Sequence, residues 1–317
     1  MTHYRRMLCA ALGLGLLLAL GIGCADQTLP PLDPGGPGPQ EPTEGIYVAN
    51  ADGSNLRRLV GGERPAWSPD GRRIAFQWYG IIHVIGIDGT GGTWLGEGRD
   101  PAWAPDGTRL AFISGEGIAV MRDDGSEVTT LLRHDFRDDI DPGWDLGVAQ
   151  PAWSPDGDRI AFGHGGAGDG LGGPAVGPEV PPQVFVMNAD GSDPRRLTTT
   201  PTTQGVVESD PAWSPGGSEI VFWSSDHGIA AVPAAGGTPR AIYQNAPALA
   251  YGAGPAWSPD GRAILFTTHQ FSPEGQAIWV VAREEGQAEL LIEGGADPAW
   301  SPDGASIVFR RIEGEAP

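Results

Sequence analysis

Pro65-Ala66-Trp67-Ser68-Pro69-Asp70-Gly71 is the first of six copies of one heptad in this chain. The heptad returns, with one or two letters changed in two copies, around five further tryptophans: Trp103, Trp153, Trp213, Trp257 and Trp300. The second copy has Ala104 in place of the serine, and the fourth has Gly216 in place of the aspartate. Repeats of this size are supersecondary units that cannot bury their apolar faces alone, so they must stack or close into a ring.

Each repeat carries the signs of four short strands. The Pro-Ala-Trp-Ser segment predicts strand A, since proline excludes helix and suits the start of a strand, and Ser-Pro-Asp-Gly predicts a tight turn. A run such as Ile160-Ala161-Phe162 predicts strand B. Residues 184–187 then predict strand C, the Asn188–Gly191 stretch a second hairpin turn, and residues 195–197 strand D. Four such antiparallel strands form one propeller blade.

The two ends of the repeat region are complementary half-repeats. Residues 45–59 supply strands C and D with no A or B before them, whereas residues 298–311 supply A and B with nothing after them. Joining the halves predicts an all-β fold, a six-bladed β-propeller of four-stranded antiparallel blades whose sixth blade is closed by both termini. An open solenoid is the alternative, but it leaves the matching half-repeats as a coincidence.

The six heptads and their Asn-Ala-Asp-Gly turns resemble the β-propeller of the TolB family, bacterial envelope proteins with WD40-like repeats. The resemblance covers residues 44–311 and implies a propeller that binds a protein partner, which in that family is an outer-membrane-associated lipoprotein. Relatives of this kind carry an α/β domain ahead of the propeller, and here a proline-rich stretch stands in that place. The repeat is specific for fold and much less so for function.

The N-terminal residues predict export. Residues 1–23 combine a basic start, an apolar middle and small residues, which is typical of a signal peptide. The following Cys24 resembles a lipidation site, although Gly21 stands where such a site usually has leucine; ordinary signal cleavage is the alternative. We therefore expect a lipid anchor and proline-rich tether over 24–43, the propeller over 44–311 and a short tail over 312–317. The expected location is the periplasm or the cell surface, with membrane contact only through the N-terminal lipid.

The charge composition restricts the classes of molecule that this protein is expected to bind. The chain has 40 acidic residues against 20 basic ones, for a formal net charge of −20. Because such a surface repels polyanions, nucleic acid and anionic lipid headgroups are not expected to bind. All of the basic residues are arginines, which excludes Schiff-base chemistry and a phosphate-binding P-loop. No catalytic motif is present, so we expect a non-enzyme that is monomeric and binds a protein partner in the cell envelope.

Long insertions are predicted to share one face of the propeller. In a blade, the A–B and C–D turns lie on one face, and the B–C loops and D–A connections lie on the other. The long segments all belong to the second set: residues 133–150, 163–182, 199–209, 244–254 and 267–276. Loops held by a rigid scaffold often carry function, so binding is expected on this face around blades 2 to 5, unless the insertions are merely tolerated.

Two candidate sites lie on these loops. His164, His227 and His269, with Asp226, could bind a divalent cation, because imidazole and carboxylate are ordinary metal ligands. That site would support the alternative function, a metal-dependent lyase or hydrolase, although no cofactor is required by the sequence. Exposed histidines without a role are the other interpretation. A second candidate, a partner contact or carbohydrate sensor, is the loop that contains Trp144; its other members are His134, Asp139 and Asp141.

A third candidate is the residue before each Pro-Ala-Trp, where strand A is expected to begin at the central channel. In blade order these residues are Arg64, Asp100, Gln150, Asp210, Gly254 and Asp297. Carboxylates on alternate blades would repel one another unless water, a cation or Arg64 compensates them. They could instead accept backbone N–H groups at the strand entries. The sequence thus favours a non-catalytic envelope lipoprotein that presents a propeller face to a protein.

Overall fold

The computed structural model describes most of the repeat region. Five stretches longer than one residue within this region are not described. The described residues are 44–133, 148–166, 180–198, 206–244, 254–268, 276–284 and 286–311. The chain divides into two units, residues 1–41 and 42–317, and every described residue belongs to the second unit. Within the described ranges there is no helix long and apolar enough to cross a bilayer.

Twenty-four strands form six four-stranded antiparallel sheets in the described part of the chain. The chain begins in blade 6 with β1 (Gly45–Asn50) and β2 (Arg57–Val60). Blade 1 contains β3 (Glu63–Trp67), β4 (Arg73–Trp78), β5 (Ile81–Gly86) and β6 (Thr93–Glu97). Blade 2 contains β7 (Arg99–Trp103), β8 (Arg109–Ser114), β9 (Gly117–Arg122) and β10 (Thr129–Arg133). Blade 3 contains β11 (Val148–Trp153), β12 (Arg159–Gly166), β13 (Val180–Asn188) and β14 (Arg195–Arg196). Blade 4 contains β15 (Glu208–Trp213), β16 (Glu219–Ser224), β17 (Gly228–Pro233) and β18 (Arg240–Tyr243). Blade 5 contains β19 (Ala256–Trp257), β20 (Ala263–Thr268), β21 (Ala277–Ala282) and β22 (Glu289–Glu293). The chain returns to blade 6 with β23 (Gly295–Trp300) and β24 (Ser306–Arg311).

Both ends of the repeat region build blade 6, as predicted. Its strand order is β2-β1-β24-β23, so the N-terminal hairpin pairs directly with the C-terminal hairpin. The β1–β24 ladder is continuous, from Gly45 opposite Arg311 to Asn50 opposite Ser306. The six-bladed all-β propeller with a shared closing blade is therefore confirmed, and the open solenoid is excluded.

Four of the six A–B turns share one hydrogen-bond pattern, which is shown here by blade 3. Ser154 is fully buried; its Oγ donates to Asp156 Oδ1 and accepts the backbone N–H of Arg159 at 2.9 Å. Asp156 Oδ1 also accepts the backbone N–H of Asp158. The hydrogen bond from Ser154 is the main reason that the pKa of Asp156 lies below its ordinary value. The heptad serine and aspartate thus fix the turn that aligns strands A and B.

Blade 4 lacks this aspartate and allows a direct test. Ser214 Oγ still accepts the backbone N–H of Glu219, but Gly216 offers no side chain and has open space where a Cβ would lie. We expect Gly216→Asp to raise the free energy of unfolding by about 0.5–2 kcal/mol, because it adds the missing hydrogen bonds and reduces the entropy of the unfolded chain. Urea denaturation measures the gain. Gly216→Ala is the matched control: equal stabilisation by both variants would show that the aspartate bonds contribute nothing.

Neighbouring blades pack through the tryptophans of strand A. The guanidinium of Arg159, at the start of strand B in blade 3, lies 4.7 Å from the ring centroid of Trp213 in blade 4. Blades 1 and 2 repeat this contact with their neighbours at similar distances. In blade 4 the equivalent position is Glu219, which instead pairs with Arg283 at 2.8 Å, and Arg283 covers Trp257. In the described chain, a cation–π contact therefore joins blades 1 and 2, 2 and 3, and 3 and 4, whereas the Glu219–Arg283 ion pair joins blades 4 and 5.

The topology separates two faces, which we call the turn face and the loop face. The turn face carries the A–B and C–D turns, and its A–B turns touch in sequence around the axis. A Cβ added to Gly157 would lie 3.2 Å from Pro105 of the previous turn, and one added to Gly304 would lie 3.1 Å from Pro259. The loop face carries the B–C loops and the D–A connections of the described residues. Strand A of each blade runs from the loop face to the turn face, so its first residues lie at the loop face.

Candidate functional site

Six residues, one from each blade, surround the propeller axis near the loop face. Each precedes the proline of its heptad, and together with those prolines they line a cavity of about 150 Å³. In blade order, with blade 6 last, they are Arg64, Asp100, Gln150, Asp210, Gly254 and Asp297. We call this set the axial ring. It brings together residues that are up to 233 positions apart in the chain, because the propeller places every strand A beside the axis.

The backbone of the axial ring is left-handed at every position. The φ angles lie between 48° and 56°, although five of the six residues are not glycine. A following proline disfavours helical backbone at the preceding residue, and a non-glycine residue with positive φ costs about 1–3 kcal/mol. In five blades the ladder between strands A and B is irregular at this point. A bulge of this kind redirects a side chain, and here it directs one side chain per blade into the cavity.

Arg64 stands between the three aspartates. Its Nε lies 3.5 Å from Asp100 Oδ1, and its Nη1 lies 3.6 Å from Asp210 Oδ1 and 3.5 Å from Asp297 Oδ1. Three carboxylates around one guanidinium leave two negative charges in excess when all four groups are ionised. The pKa of Arg64 is raised above its ordinary value, chiefly by Asp297, so the guanidinium stays charged. The compensating cation of this ring is thus part of the chain.

Burial opposes the ionisation of two ring carboxylates, Asp100 and Asp210. It raises the pKa of both Asp100 and Asp210 above the ordinary value, while the charge of Arg64 acts in the opposite direction. Asp210 Oδ2 accepts a hydrogen bond from Ser209 Oγ at 2.5 Å. Asp210 Oδ1 and Gln150 Oε1 are buried and, among the described residues, have no hydrogen-bond donor within bonding geometry. The ring therefore combines excess negative charge with two buried acceptor atoms, and Asp210 Oδ1 also faces the Arg64 guanidinium at 3.6 Å.

This arrangement suits the recognition of a cationic group. The cavity is smaller than the 300–1,000 Å³ of typical small-molecule sites, so one side chain or amine fits better than a metabolite. The ring residues themselves contain no histidine, cysteine or hydroxyl nucleophile.

The predicted histidine site is only partly described. His164, on β12, packs edge-on against Phe185 with ring centroids 5.4 Å apart. His227, in the turn before β17, lies with Nδ1 3.6 Å from Asp226 Oδ2. His269 lies outside the described residues, as do the partner-contact residues His134, Asp139, Asp141 and Trp144, and also Cys24. Within the described ranges no three His, Cys, Asp or Glu side chains are grouped closely enough to hold a metal ion. The lyase and hydrolase alternative thus gains no geometric support here.

The structure adds contacts that the sequence did not indicate. Gln77 Oε1, on strand B of blade 1, accepts the backbone N–H of Asp100 at 2.7 Å and so fixes one ring position from the neighbouring blade. Three exposed aromatics also stand out on blade 1: Trp78, Tyr79 and Trp94. Their strands follow the repeat pattern in which aromatics belong to the core, so no sequence signal marked them as surface residues.

The fold and the site can be compared with those of known proteins. The fold and its shared closing blade define a six-bladed β-propeller with an acidic axial ring. A family profile described as the TolB beta propeller domain matches residues 101–317, and the chain belongs to this family. The predicted resemblance is therefore confirmed. A search of curated proteins found no match.

Solved structures share the fold at low sequence identity. A putative TolB from Agrobacterium tumefaciens aligns with a TM-score of 0.65 at 20% identity over 86% of this chain and 99% of its own. TolB from Acinetobacter baumannii aligns with a TM-score of 0.55 at 16% identity over 85% of this chain and 64% of its own. An oligogalacturonate lyase from Vibrio parahaemolyticus aligns with a TM-score of 0.51 at 13% identity over 84% of this chain and 83% of its own. These likenesses concern the fold alone.

Proposed function

We propose that this protein is a non-catalytic, exported cell-envelope lipoprotein whose loop face binds a protein partner. The observation that carries the proposal is the axial ring, where three aspartates and one arginine meet under strained backbone in a small cavity. Residues that are held in unfavourable φ/ψ regions cluster at binding sites. The conformational energy that they cost must be offset by the rest of the fold. Membership of the TolB propeller family supports a binding role, and the signal-like residues 1–24 support export and a lipid anchor.

The partner's contribution is expected to be basic. The ring carries two excess negative charges, and the chain as a whole has a net charge of −20. An arginine, lysine or N-terminal amine inserted along the axis would offset one of the excess negative charges of the ring. Charge complementarity of this kind raises the association rate and selects among partners. The same charge would repel nucleic acid and anionic lipid.

In the sequence, long connections precede three of the ring residues. Gln150, Asp210 and Gly254 each end a D–A connection in the chain, and these connections are the long ones. A partner that inserts a side chain on the axis would therefore also meet loop residues of blades 2 to 5. The ring would provide the anchor, and the surrounding loops would provide specificity.

Site-specific photo-crosslinking tests which face binds. A photoreactive residue at Glu116, in the exposed B–C turn of blade 2, is expected to capture an envelope protein from the organism's own extract. The same residue at Asp260, in the exposed A–B turn of blade 5, serves as the matched probe of the turn face and should capture nothing specific. Mass spectrometry identifies the captured protein.

Asp297→Asn supplies the second arm of this test. It is nearly isosteric and removes one ring charge, so a ring-dependent complex should lose at least about tenfold in affinity for the captured partner. Asp303→Asn, on the turn face, is the matched control and should leave affinity unchanged. Capture from Asp260 alone, or equal affinity for Asp297→Asn and the parent chain, would contradict the proposal.

A further inference from the structure

Blade 1 presents an exposed aromatic surface that the proposed binding site does not use. Trp78 is 45% exposed, Tyr79 73% and Trp94 66%, although each is large and mostly apolar. The rings of Trp78 and Tyr79 lie 5.3 Å apart, and the Trp78 ring lies 6.2 Å from that of His83. We call these four residues the aromatic patch. Exposed apolar groups that lie next to one another are typical of interaction sites, whereas single ones are common on any surface.

The patch lies in two rows across the outer strands of blade 1. In one row, His83 on β5 lies directly opposite Trp94 on β6. In the other row, Ile81 on β5 lies opposite both Trp78 on β4 and Glu97 on β6. Residues opposite each other on antiparallel strands share a face of the sheet, and Ile81 and His83 share one because they are two positions apart. The exposed tryptophans therefore lie on the same face as one exposed carboxylate, that of Glu97.

Gly61, in the connection that leads from blade 6 to blade 1, leaves the Trp78 indole open. A Cβ added to Gly61 would lie 3.6 Å from the Trp78 ring, which is ordinary van der Waals contact. The backbone at Gly61 is not left-handed, so the local conformation does not require glycine. A larger residue at this position would cover part of the indole. Glycine therefore keeps this surface of Trp78 accessible.

This chain covers other tryptophans with arginine. A guanidinium lies between 4.6 and 5.8 Å from the ring centroids of four heptad tryptophans, which are Trp103, Trp153, Trp213 and Trp257. Among the described residues no guanidinium lies over Trp78 or Trp94. A planar guanidinium stacks on an aromatic face because the ring quadrupole attracts the cation. The patch thus contains two indoles of the kind that the chain pairs with arginine elsewhere.

The charges around the patch favour a cationic ligand. Glu97 lies on the patch face, and the chain has a formal net charge of −20. Burial lowers the pKa of His83, so at neutral pH this imidazole adds no positive charge. A polyanion, an acidic peptide or a second copy of this chain would meet electrostatic repulsion, whereas a basic segment would be attracted.

We propose that the aromatic patch binds an arginine-bearing segment of a partner protein. Guanidinium groups of that segment stack on Trp78 and Trp94, and Glu97 supplies the opposite charge. Tryptophan, tyrosine and arginine are the residue types enriched where protein interfaces gain most of their binding energy. Trp78 ends strand B of blade 1 and Tyr79 lies in the turn that follows, so the patch reaches the rim of the loop face. The proposal does not depend on the function of the axial ring.

A peptide titration followed by NMR tests this proposal. The probe is an acetylated peptide amide of alternating arginine and threonine, and the readout is the indole Nε1–H resonances of Trp78 and Trp94 in the full chain. Both resonances should shift as the peptide is added. The same peptide with citrulline in place of arginine keeps the shape of the side chain and loses its charge. It should bind about tenfold more weakly, as expected for the loss of two exposed cation–π contacts.

Variants at Gly61 keep the test independent of folding, because they leave the patch residues intact. Gly61→Arg places a cation beside Trp78 and should weaken binding of the arginine peptide by about threefold, as expected for one exposed charge pair. Gly61→Glu should strengthen binding by a similar factor. Leu290→Arg, at an exposed position on blade 5, is the matched control for the change in net charge and should leave the affinity as in the parent chain.

Four outcomes would overturn the proposal. The first two are indole resonances that do not shift, and equal affinity for the arginine and citrulline peptides. The third is a shift of the same resonances when the chain is concentrated without peptide, which would assign the patch to a second copy. The fourth separates this site from the axial ring: if Asp297→Asn lost the peptide while the indole resonances of the parent chain never shifted, the peptide would bind the ring instead.

Discussion

Replacing Arg64 with methionine is expected to lower the free energy of unfolding by about 2–3 kcal/mol at pH 8. Removing one partner of a buried ion pair costs about 3–5 kcal/mol, because the remaining charge is left buried and uncompensated. Arg64 is about one-third exposed to the cavity, so the lower value is appropriate. Methionine retains the volume of the side chain and removes its charge, and urea denaturation measures the change.

The loss of unfolding free energy in the Arg64→Met variant should increase as the pH rises. Asp100 and Asp210 have raised pKa values in the folded state, so above the ordinary aspartate value the folded protein binds more protons than the unfolded chain. The free energy of unfolding therefore falls as pH rises through this window. Without the guanidinium, which lowers both pKa values, the fall should be larger and extend to higher pH. The difference between variant and parent should shrink as the pH decreases toward the ordinary aspartate pKa.

Two further variants complete this test. Asp210→Asn in the Arg64→Met background should recover part of the stability, because it removes one of the uncompensated charges. Arg262→Met, on the turn face, removes an arginine that is 87% exposed and should change stability by less than about 0.5 kcal/mol. A difference between Arg64→Met and the parent that is the same at pH 5 and pH 8 would show that the three carboxylates do not depend on Arg64.

Phe309→Ala is expected to have the largest effect, a loss of about 3–5 kcal/mol in the free energy of unfolding. Phe309 lies on β24, is fully buried and packs among residues of blades 5 and 6, including Tyr47 at 6.0 Å. Its removal leaves a cavity beside the β1–β24 ladder that closes the ring. Thermal and urea unfolding of the purified chain provide the measurement.

Phe222→Ala is the matched comparison for this variant. Phe222 occupies the same place in blade 4, where all four strands come from one continuous stretch of chain. Equal losses of unfolding free energy in the two variants would mean that packing stabilises the closing blade as much as an internal blade. Leu56→Ala, on an exposed side chain of blade 6, should change stability by less than about 0.5 kcal/mol. A loss below 1 kcal/mol for Phe309→Ala would show that blade 6 is not an integral part of the folded unit.

The repeat made the fold predictable because its signals are local and occur six times. Proline before Trp67, the Ser-Pro-Asp-Gly turn and the apolar run after it each restrict the backbone independently, so their agreement specifies one blade. The complementary half-repeats then determined the number of blades. The strand starts were less accurate: strand A was expected to begin at proline, whereas β7 already begins at Arg99. Apart from the proline that follows it, no residue type in the sequence marks a bulge with left-handed backbone.

The axial ring could be located by position but not explained by sequence. Counting one residue back from each heptad identifies Asp100, Asp210 and Asp297 as neighbours, since the propeller brings equivalent positions to the axis. The position of Arg64 equidistant from all three depends on side-chain geometry, and so do the hydrogen bonds from Ser209 to Asp210 and from Asp100 to Gln77. The exposure of Trp78 and Trp94 could not be predicted, because alternating apolar and polar residues predict strands but do not show which strand faces remain uncovered at the rim of the propeller.

The pairing of β1 with β24 has a consequence for the order of events in synthesis. The β1–β2 hairpin acquires the partner for its free β1 edge only after the last described strand has been made, so this edge stays unpaired during the synthesis of five complete blades. Any chain that stops before Ser306 would leave that edge unpaired and would also expose the apolar face of blade 5 that packs against blade 6. Premature termination should therefore yield material prone to aggregation and degradation, and only chains extended through Arg311 can seal themselves.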